Sequence, residues 1–224
     1  MKTPPDHDVV RFDRWSTTYD RSPAQRLFFT RVHRAVCDEL LSQGEVPLQI
    51  VDVGCGTGRL LATLLQRLPA AELVGVDPSE GMITVAHARF ADEPRVRLET
   101  AKASALPLPD RSVDAVVTTV SFHHWDDQAS SLEEVARVLR RGGRLLIADV
   151  FAIGVIGGIV ERLGGHHGRG YRSEAELSAL VGGAGLTCTR RRQLFGPVSP
   201  LFVIEARLDD AHPRAAGRAP ASRA

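Results

Sequence analysis

The stretch VDVGCGTGRL, residues 51–60, sets three glycines, Gly54, Gly56 and Gly58, within five positions directly behind an apolar run. Leu60, Leu61, Leu64, Leu65 and Leu68 then recur at the spacing of one helical face. The glycines therefore occupy a strand-to-helix turn, where bare backbone can lie close against a ligand near a helix amino terminus. Dinucleotide, phosphate and methyl-donor sites all use such a turn, so the rest of the chain has to choose between them.

From residue 49 onward, short β-branched runs alternate with longer amphipathic stretches, the pattern of crossover units on a parallel sheet. Strands are expected near 49–54, 72–77, 96–101, 113–121 and 143–150, with helices near 58–68, 79–91 and 128–140 between them. Arg140 and Arg141 suit a helix carboxyl end, and Gly142 with Gly143 should stop that helix. A further helix over 173–182 opens at Ser173 with Glu176 three residues on, a capping-box pattern. The last two runs, 187–194 and 200–208, have no helix between them and should pair as an antiparallel hairpin.

Ahead of the first strand, Leu27, Phe28, Val32, Val36 and Leu40 have helical spacing. A helix there would serve as an amino-terminal cap over 1–48 and cover the ligand face. At 224 residues the chain is long enough for one substantial core, so a single domain is expected over 1–208. The ending DDAHPRAAGRAPASRA reads as a disordered tail over 209–224. A net charge of +1 gives no general argument for nucleic acid, and the run Arg190, Arg191, Arg192 reads as a solvated face. Cys37, Cys55 and Cys188 lack metal-knuckle or disulfide spacing and fit a reducing compartment. With neither an apolar leader nor a membrane-length span, the expected location is the cytoplasm.

A dinucleotide fingerprint asks for G-x-G-x-x-G, but Arg59 stands where its third glycine belongs, and the spacing here is G-x-G-x-G. The second strand, LVGVD, ends on Asp77, whose carboxylate suits both hydroxyl protons of a ribose. Asp77 is expected at a loop surface. Four stretches, VDVGCGTGRL, LVGVDPSEGM, ALPLPDRSVDAVVTTVSFHHWDD and LRRGGRLLIADVF, resemble in order and spacing the successive motifs of class I S-adenosylmethionine-dependent methyltransferases. FDRWSTTYDR is similar to the opening of the subgroup that includes ubiquinone and menaquinone biosynthesis methyltransferases.

The resemblance implies an α/β, Rossmann-like, doubly wound and mostly parallel seven-stranded sheet with an antiparallel carboxyl-terminal hairpin. It implies S-adenosylmethionine as cofactor, with Gly54, Gly56 and Gly58 against its methionine part and Asp77 on its ribose, so Asp77→Ala should lose donor affinity and keep the fold. Asp52 and Cys55 fall in the same cofactor-binding turn. Pro78 and Met82 would pack near the adenine, Ala103 would offer its backbone amide to a ring nitrogen beside Ser104, and Thr119 or Val120 would lie near the methionine end. Tyr19 would close over the cofactor from the front. The chain departs from the family at AKA, residues 101–103, where Lys102 replaces the acid that commonly accepts the adenine amino proton. Lysine has no acceptor to offer.

His123 and His124, in FHHWDD, are the candidates for a catalytic base or for holding the acceptor, against a reading as pocket-wall histidines. They lack a third ligand at metal spacing, so no metal is expected. Asp126 and Asp127 read as caps of the next helix. Residues 151–173, FAIGVIGGIVERLGGHHGRGYRS, read as a substrate lid, from which His166, His167, Arg169 and Tyr171 would reach an acceptor. The leading expectation is methyl transfer to a small, apolar or aromatic molecule, with no nucleic-acid partner and with monomer and homodimer both open. Two alternatives stand beside it. One is a donor-binding protein without turnover, and the other an NAD(P)-dependent oxidoreductase, disfavoured by the missing glycine and the lack of a Tyr-x-x-x-Lys pair.

Overall fold

In the computed structural model, residues 7–16, 23–42, 46–151, 172–197 and 199–208 are described. The expected tail, Tyr19 and the inner part of the expected lid, including His166, His167, Arg169 and Tyr171, lie outside the described residues. The chain runs α1 (His7–Trp15), α2 (Pro23–Leu41), β1 (Gln49–Val53), α3 (Arg59–Arg67), β2 (Glu72–Asp77), α4 (Glu80–Arg89), β3 (Val96–Thr100) and β4 (Val113–Thr119). A short 3-10 turn (Phe122–His124) leads to α5 (Gln128–Val138), β5 (Leu139–Val150), α6 (Glu174–Gly183), β6 (Leu186–Gln193) and β7 (Leu201–Leu208).

The seven strands stand in the order β3-β2-β1-β4-β5-β7-β6. The first five are parallel, while β7 runs antiparallel to both β5 and β6. This is the doubly wound sheet with a terminal hairpin that the alternation implied. The order reverses at β1, so a crevice opens beyond the carboxyl ends of β1 and β4, the usual ligand position in such sheets.

Because side chains alternate across a strand, the sheet feeds two apolar layers. Val51, Val53, Val116, Leu145 and Ile147 meet Leu132 and Val135 of α5 and Leu177 and Val181 of α6. On the other face Ile50, Val117 and Leu146 meet Val32, Val36 and Leu40 of α2 and Leu60, Leu61 and Leu64 of α3. The stripe on α2 therefore packs against this face of the sheet, leaving Leu27 and Phe28 exposed. The cap over the ligand face comes instead from α1, which packs on α4: Asp13 accepts hydrogen bonds from the Ser79 hydroxyl and, at 3.1 Å, from the Gly81 amide.

Two further expectations are corrected. The helix expected to run to Arg140 ends at Val138, and Leu139 is already extended because it pairs with Val113, the extra residues of β5 bulging out before Arg144 pairs with Ala115. Gly142 and Gly143 thus lie inside β5 and stop nothing. The arginine run is ion-paired as well as exposed: Arg190 reaches Glu39 of α2 at 3.1 Å and Arg191 reaches Glu174 of α6 at 2.5 Å, fastening the edge strand to two helices. The capping box on α6 is present, with Ser173 and Glu176 each bonding the other's backbone amide. Among the described residues, no helix is long and apolar enough to cross a membrane.

Candidate active site

Beyond the ends of β1, β2 and β4, a cavity of about 880 Å³, including its open mouth, is lined by Gly54, Gly56, Asp77, Pro78, Met82, Ala103, Ser104, Thr119, Val120 and His124. Val9 and Phe12 of α1, with Lys102, Trp125 and Asp126, complete its walls. Residues from five separate motifs of the sequence therefore share one space.

The glycine turn is built as its composition demands. Gly54 has φ +79°, and a β-carbon there would stand 1.8 Å from the Ser121 hydroxyl oxygen, so only glycine fits. Gly56, at φ +53°, has open space where a β-carbon would stand, with nothing within 4 Å. Gly58 does not line the cavity; its α carbon faces Phe90, the residue just after α4, and at φ +79° it forms the amino-terminal cap of α3. Cys55 is buried on the wall of a smaller recess beside His33, Arg59 and Thr119.

Asp77 is 9% exposed, which corrects its expected place at a loop surface. Its carboxylate accepts from the Gly56 amide and from the Ser79 amide, both at 2.9 Å, and so braces the glycine turn against the start of α4. Each oxygen keeps a further lone pair, the capacity that two ribose hydroxyls require. Burial raises its carboxyl above the usual range, opposed by these two amides. Asp52, two residues from Ile50, falls on the same strand face and is fully buried beneath the turn. No described residue hydrogen-bonds either of its oxygens, and burial, followed by the charge of Asp77, pushes its carboxyl up to about 8.

Of the two histidines, His124 faces the cavity, its ring edge-on to Phe12 of α1 at 5.2 Å. His123 lies behind it, the two rings tilted by 42° with centroids 4.0 Å apart. Its Nδ1 lies 2.8 Å from Oδ1 of Asp149, and its backbone amide donates to Oδ2 of the same residue at 3.1 Å. Asp149 is fully buried at the end of β5. The reading of FHHWDD had not singled it out, although one charged residue inside the apolar run LLIADVF was a signal for a buried partner.

Val120 adds strain at the same place. Its φ of +50° is unusual for a β-branched residue and is held by its amide, which donates to the Ala148 carbonyl at 2.8 Å. Asp127 caps α5 through the Ser130 amide, as expected of it. Asp126 does not; it accepts from Lys102 Nζ at 2.6 Å across the cavity rim. The walls fit a nucleoside-bearing methyl donor: a glycine-floored turn, an acceptor carboxylate braced by that turn, and an apolar slot of Pro78, Met82 and Trp125.

Residues 51–147 match the family described as "Methyltransferase domain". A demethylmenaquinone methyltransferase of Thermus thermophilus is 38% identical over 110 residues, 49% of this chain and 50% of that protein, so the chain spans half of that relative's length. The ubiquinone/menaquinone biosynthesis C-methyltransferase UbiE of Geobacter sulfurreducens is 30% identical over 175 residues, covering 66% of this chain and 68% of that one. Among solved structures, magnesium protoporphyrin IX methyltransferase from Synechocystis with bound S-adenosylhomocysteine superposes with a TM-score of 0.70 over 91% of this chain and 100% of its own, at 22% identity, a likeness of fold.

Proposed function

The chain belongs to the class I S-adenosylmethionine-dependent methyltransferases, and on that premise we propose that it transfers a methyl group from the donor to a small apolar or aromatic molecule. The observation that carries this reading is the shared cavity, with the glycine turn and Asp77 on one side and His124 on the other. The apolar lining from Val9, Phe12 and Trp125 supports an apolar acceptor, and the relatives named for quinone biosynthesis point to aromatic ring systems.

When bound, S-adenosylmethionine supplies a methyl on a sulfonium, whose departure leaves a neutral thioether. The chain's own residues then have to align the acceptor and keep water away. Gly54 and Gly56 let the donor lie close against bare backbone whose own amides are taken by the Val76 carbonyl and the Asp77 carboxylate, and that carboxylate orients the ribose. Val9 and Phe12 close the front of the cavity. His124 takes the acceptor's proton where that acceptor is a hydroxyl. His123, held by Asp149, backs the His124 ring in tilted contact and limits its movement away from the cavity.

Calorimetric titration with S-adenosylmethionine, S-adenosylhomocysteine and NADH tests the donor. The first two should bind and the third should not; binding of NADH alone would overturn the reading. Labelled methyl transfer to a panel of phenols and hydroquinones then tests the acceptor. His124→Gln should lower kcat by about a hundredfold, the low end of general-base effects, with donor affinity unchanged.

A further inference from the structure

Of the five large apolar side chains exposed among the described residues, three gather at one place: Leu27 at 59%, Phe28 at 36% and Phe195 at 44%. Contacts along β6 show where that place is. Arg190 meets Ser42, Arg192 meets Ala35 and Phe195 meets Phe28, so α2 runs back along β6 and its amino end lies at the hairpin turn. Because β7 is antiparallel to both β5 and β6, that turn lies at the carboxyl ends of the parallel strands, the edge where the ligand cavity opens. The ring centroids of Phe28 and Phe195 are 5.6 Å apart, and Phe29 follows Phe28 at 5.3 Å. Phe29 in turn lines the smaller recess, which shares Gly54, Gly56 and Thr119 with the cavity.

Phe195 is strained in this position. Its φ of +61° is a conformation that glycine adopts freely and an aromatic residue does not, and the exposed ring recovers little of that strain by burial. The turn is fixed by its own backbone, with the Leu194 amide on the Leu201 carbonyl at 2.9 Å and the Ser199 amide on the Gly196 carbonyl at 3.2 Å. Strain held in this way at an exposed aromatic points to a use for the ring. Beside it, the exposed face of α2 continues from Leu27 with Arg31 and Arg34 at helical spacing. The nearby acids are engaged elsewhere: Asp38 by Arg67 at 2.8 Å, and the buried Glu39 by Arg190 at 3.1 Å and Arg192 at 3.9 Å. Arg31 and Arg34 are left with no acidic partner among the described residues.

We propose that this rim is a docking surface for an anionic lipid bilayer. Leu27, Phe28 and Phe195 enter the boundary between headgroups and acyl chains, while Arg31 and Arg34 lie among the lipid phosphates. Exposed aromatics bordered by cations without acidic partners fit a bilayer better than a second copy of the chain, because a two-fold contact here brings the arginines toward their own copies. The docking does not depend on the acceptor. Its purpose rests on the apolar acceptor proposed above, which a bilayer dissolves and which then meets the protein at the edge where its cavity opens.

Vesicle flotation of the full chain, without donor or acceptor, is the test. The unaltered protein should float with vesicles of phosphatidylcholine mixed with phosphatidylglycerol, far less with phosphatidylcholine alone, and high salt should release it. Arg31→Gln and Arg34→Gln should each weaken partition about fivefold, the worth of one cation at an anionic surface. Phe195→Gly should weaken it about tenfold through lost apolar area, yet keep or raise stability in urea, since glycine accepts the +61° φ without strain. That opposite response separates a lost surface from a lost fold. Absence of flotation with either vesicle, or flotation that all three variants leave unchanged, would overturn the proposal. So would a dimer that does not float and that Phe195→Gly dissociates, since the patch then belongs to a second copy. None of these results bears on donor binding or on methyl transfer to a water-soluble phenol, which test the proposed function by themselves.

Discussion

Asp52 offers a direct electrostatic test of how β1 is built. Strand alternation puts it on the face where Ile50 packs against α2 and α3, and burial pushes its carboxyl from 3.8 to about 8. Between those values the folded protein holds a proton that the unfolded chain releases. Stability must then fall as pH rises, by about 1.4 kcal/mol per unit. His33 acts in the opposite sense, because burial and then Arg59 lower it from 6.5 to about 3. Below pH 6.5 the unfolded chain binds a proton at this histidine that the folded protein refuses, so stability falls as pH drops. The two slopes offset each other below 6.5. From 6.5 to 8 Asp52 acts without that opposition, over 1.5 units, or about 2 kcal/mol. Asp52→Asn keeps the shape and removes the titration. Urea unfolding at half-unit steps from pH 6.5 to 8 should show the unaltered protein losing about 2 kcal/mol relative to the variant, at unchanged m-value. A difference that stays constant across the window would refute the reasoning, since groups common to both proteins cancel.

Gly54→Ala should destabilise by more than about 3 kcal/mol in urea unfolding, because the new β-carbon meets Ser121 at 1.8 Å, whereas Gly56→Ala should cost only about 1 kcal/mol of left-handed strain. Arg137→Ala should cost about 2 kcal/mol by the same assay. Arg137 donates to the carbonyls of Leu106 and Leu108 and to Glu134 and Asp110, tying the loop before β4 to α5. Asp77→Ala should lower both the unfolding free energy and donor affinity, since Asp77 braces the Gly56 and Ser79 amides; Asp77→Asn, which keeps one acceptor, should lose donor affinity about tenfold with a smaller stability change, read by calorimetry beside urea unfolding.

The sheet was legible because its signals are local. Alternation of β-branched runs with amphipathic stretches placed every strand, and the missing helix between residues 194 and 200 announced the antiparallel hairpin. Boundaries set by distant partners were not legible. Two arginines followed by two glycines look like the end of a helix, yet Leu139 is drawn into the sheet by Val113, which lies 26 residues earlier. An apolar stripe such as that of α2 shows that a helix packs, but not which face of which layer receives it. The shorter α1 carries its own pattern, with Val9 and Phe12 three residues apart, and both line the cavity.

Within the site, the difference between what was and was not legible follows from how each residue is held. Gly54, Gly56 and Asp77 lie at strand ends whose position the pattern already fixes, so their convergence could be read in advance, whereas Gly58 turns away to cap α3. Asp149 and Asp126 act through partners 26 and 24 residues away, His123 and Lys102, and single-chain spacing carries no record of such pairs. Asp149 nevertheless left a local anomaly, a charge inside an apolar strand. A residue that violates its local environment has its explanation elsewhere in the fold, and here the buried Asp149 finds it in His123, directly behind the cavity wall.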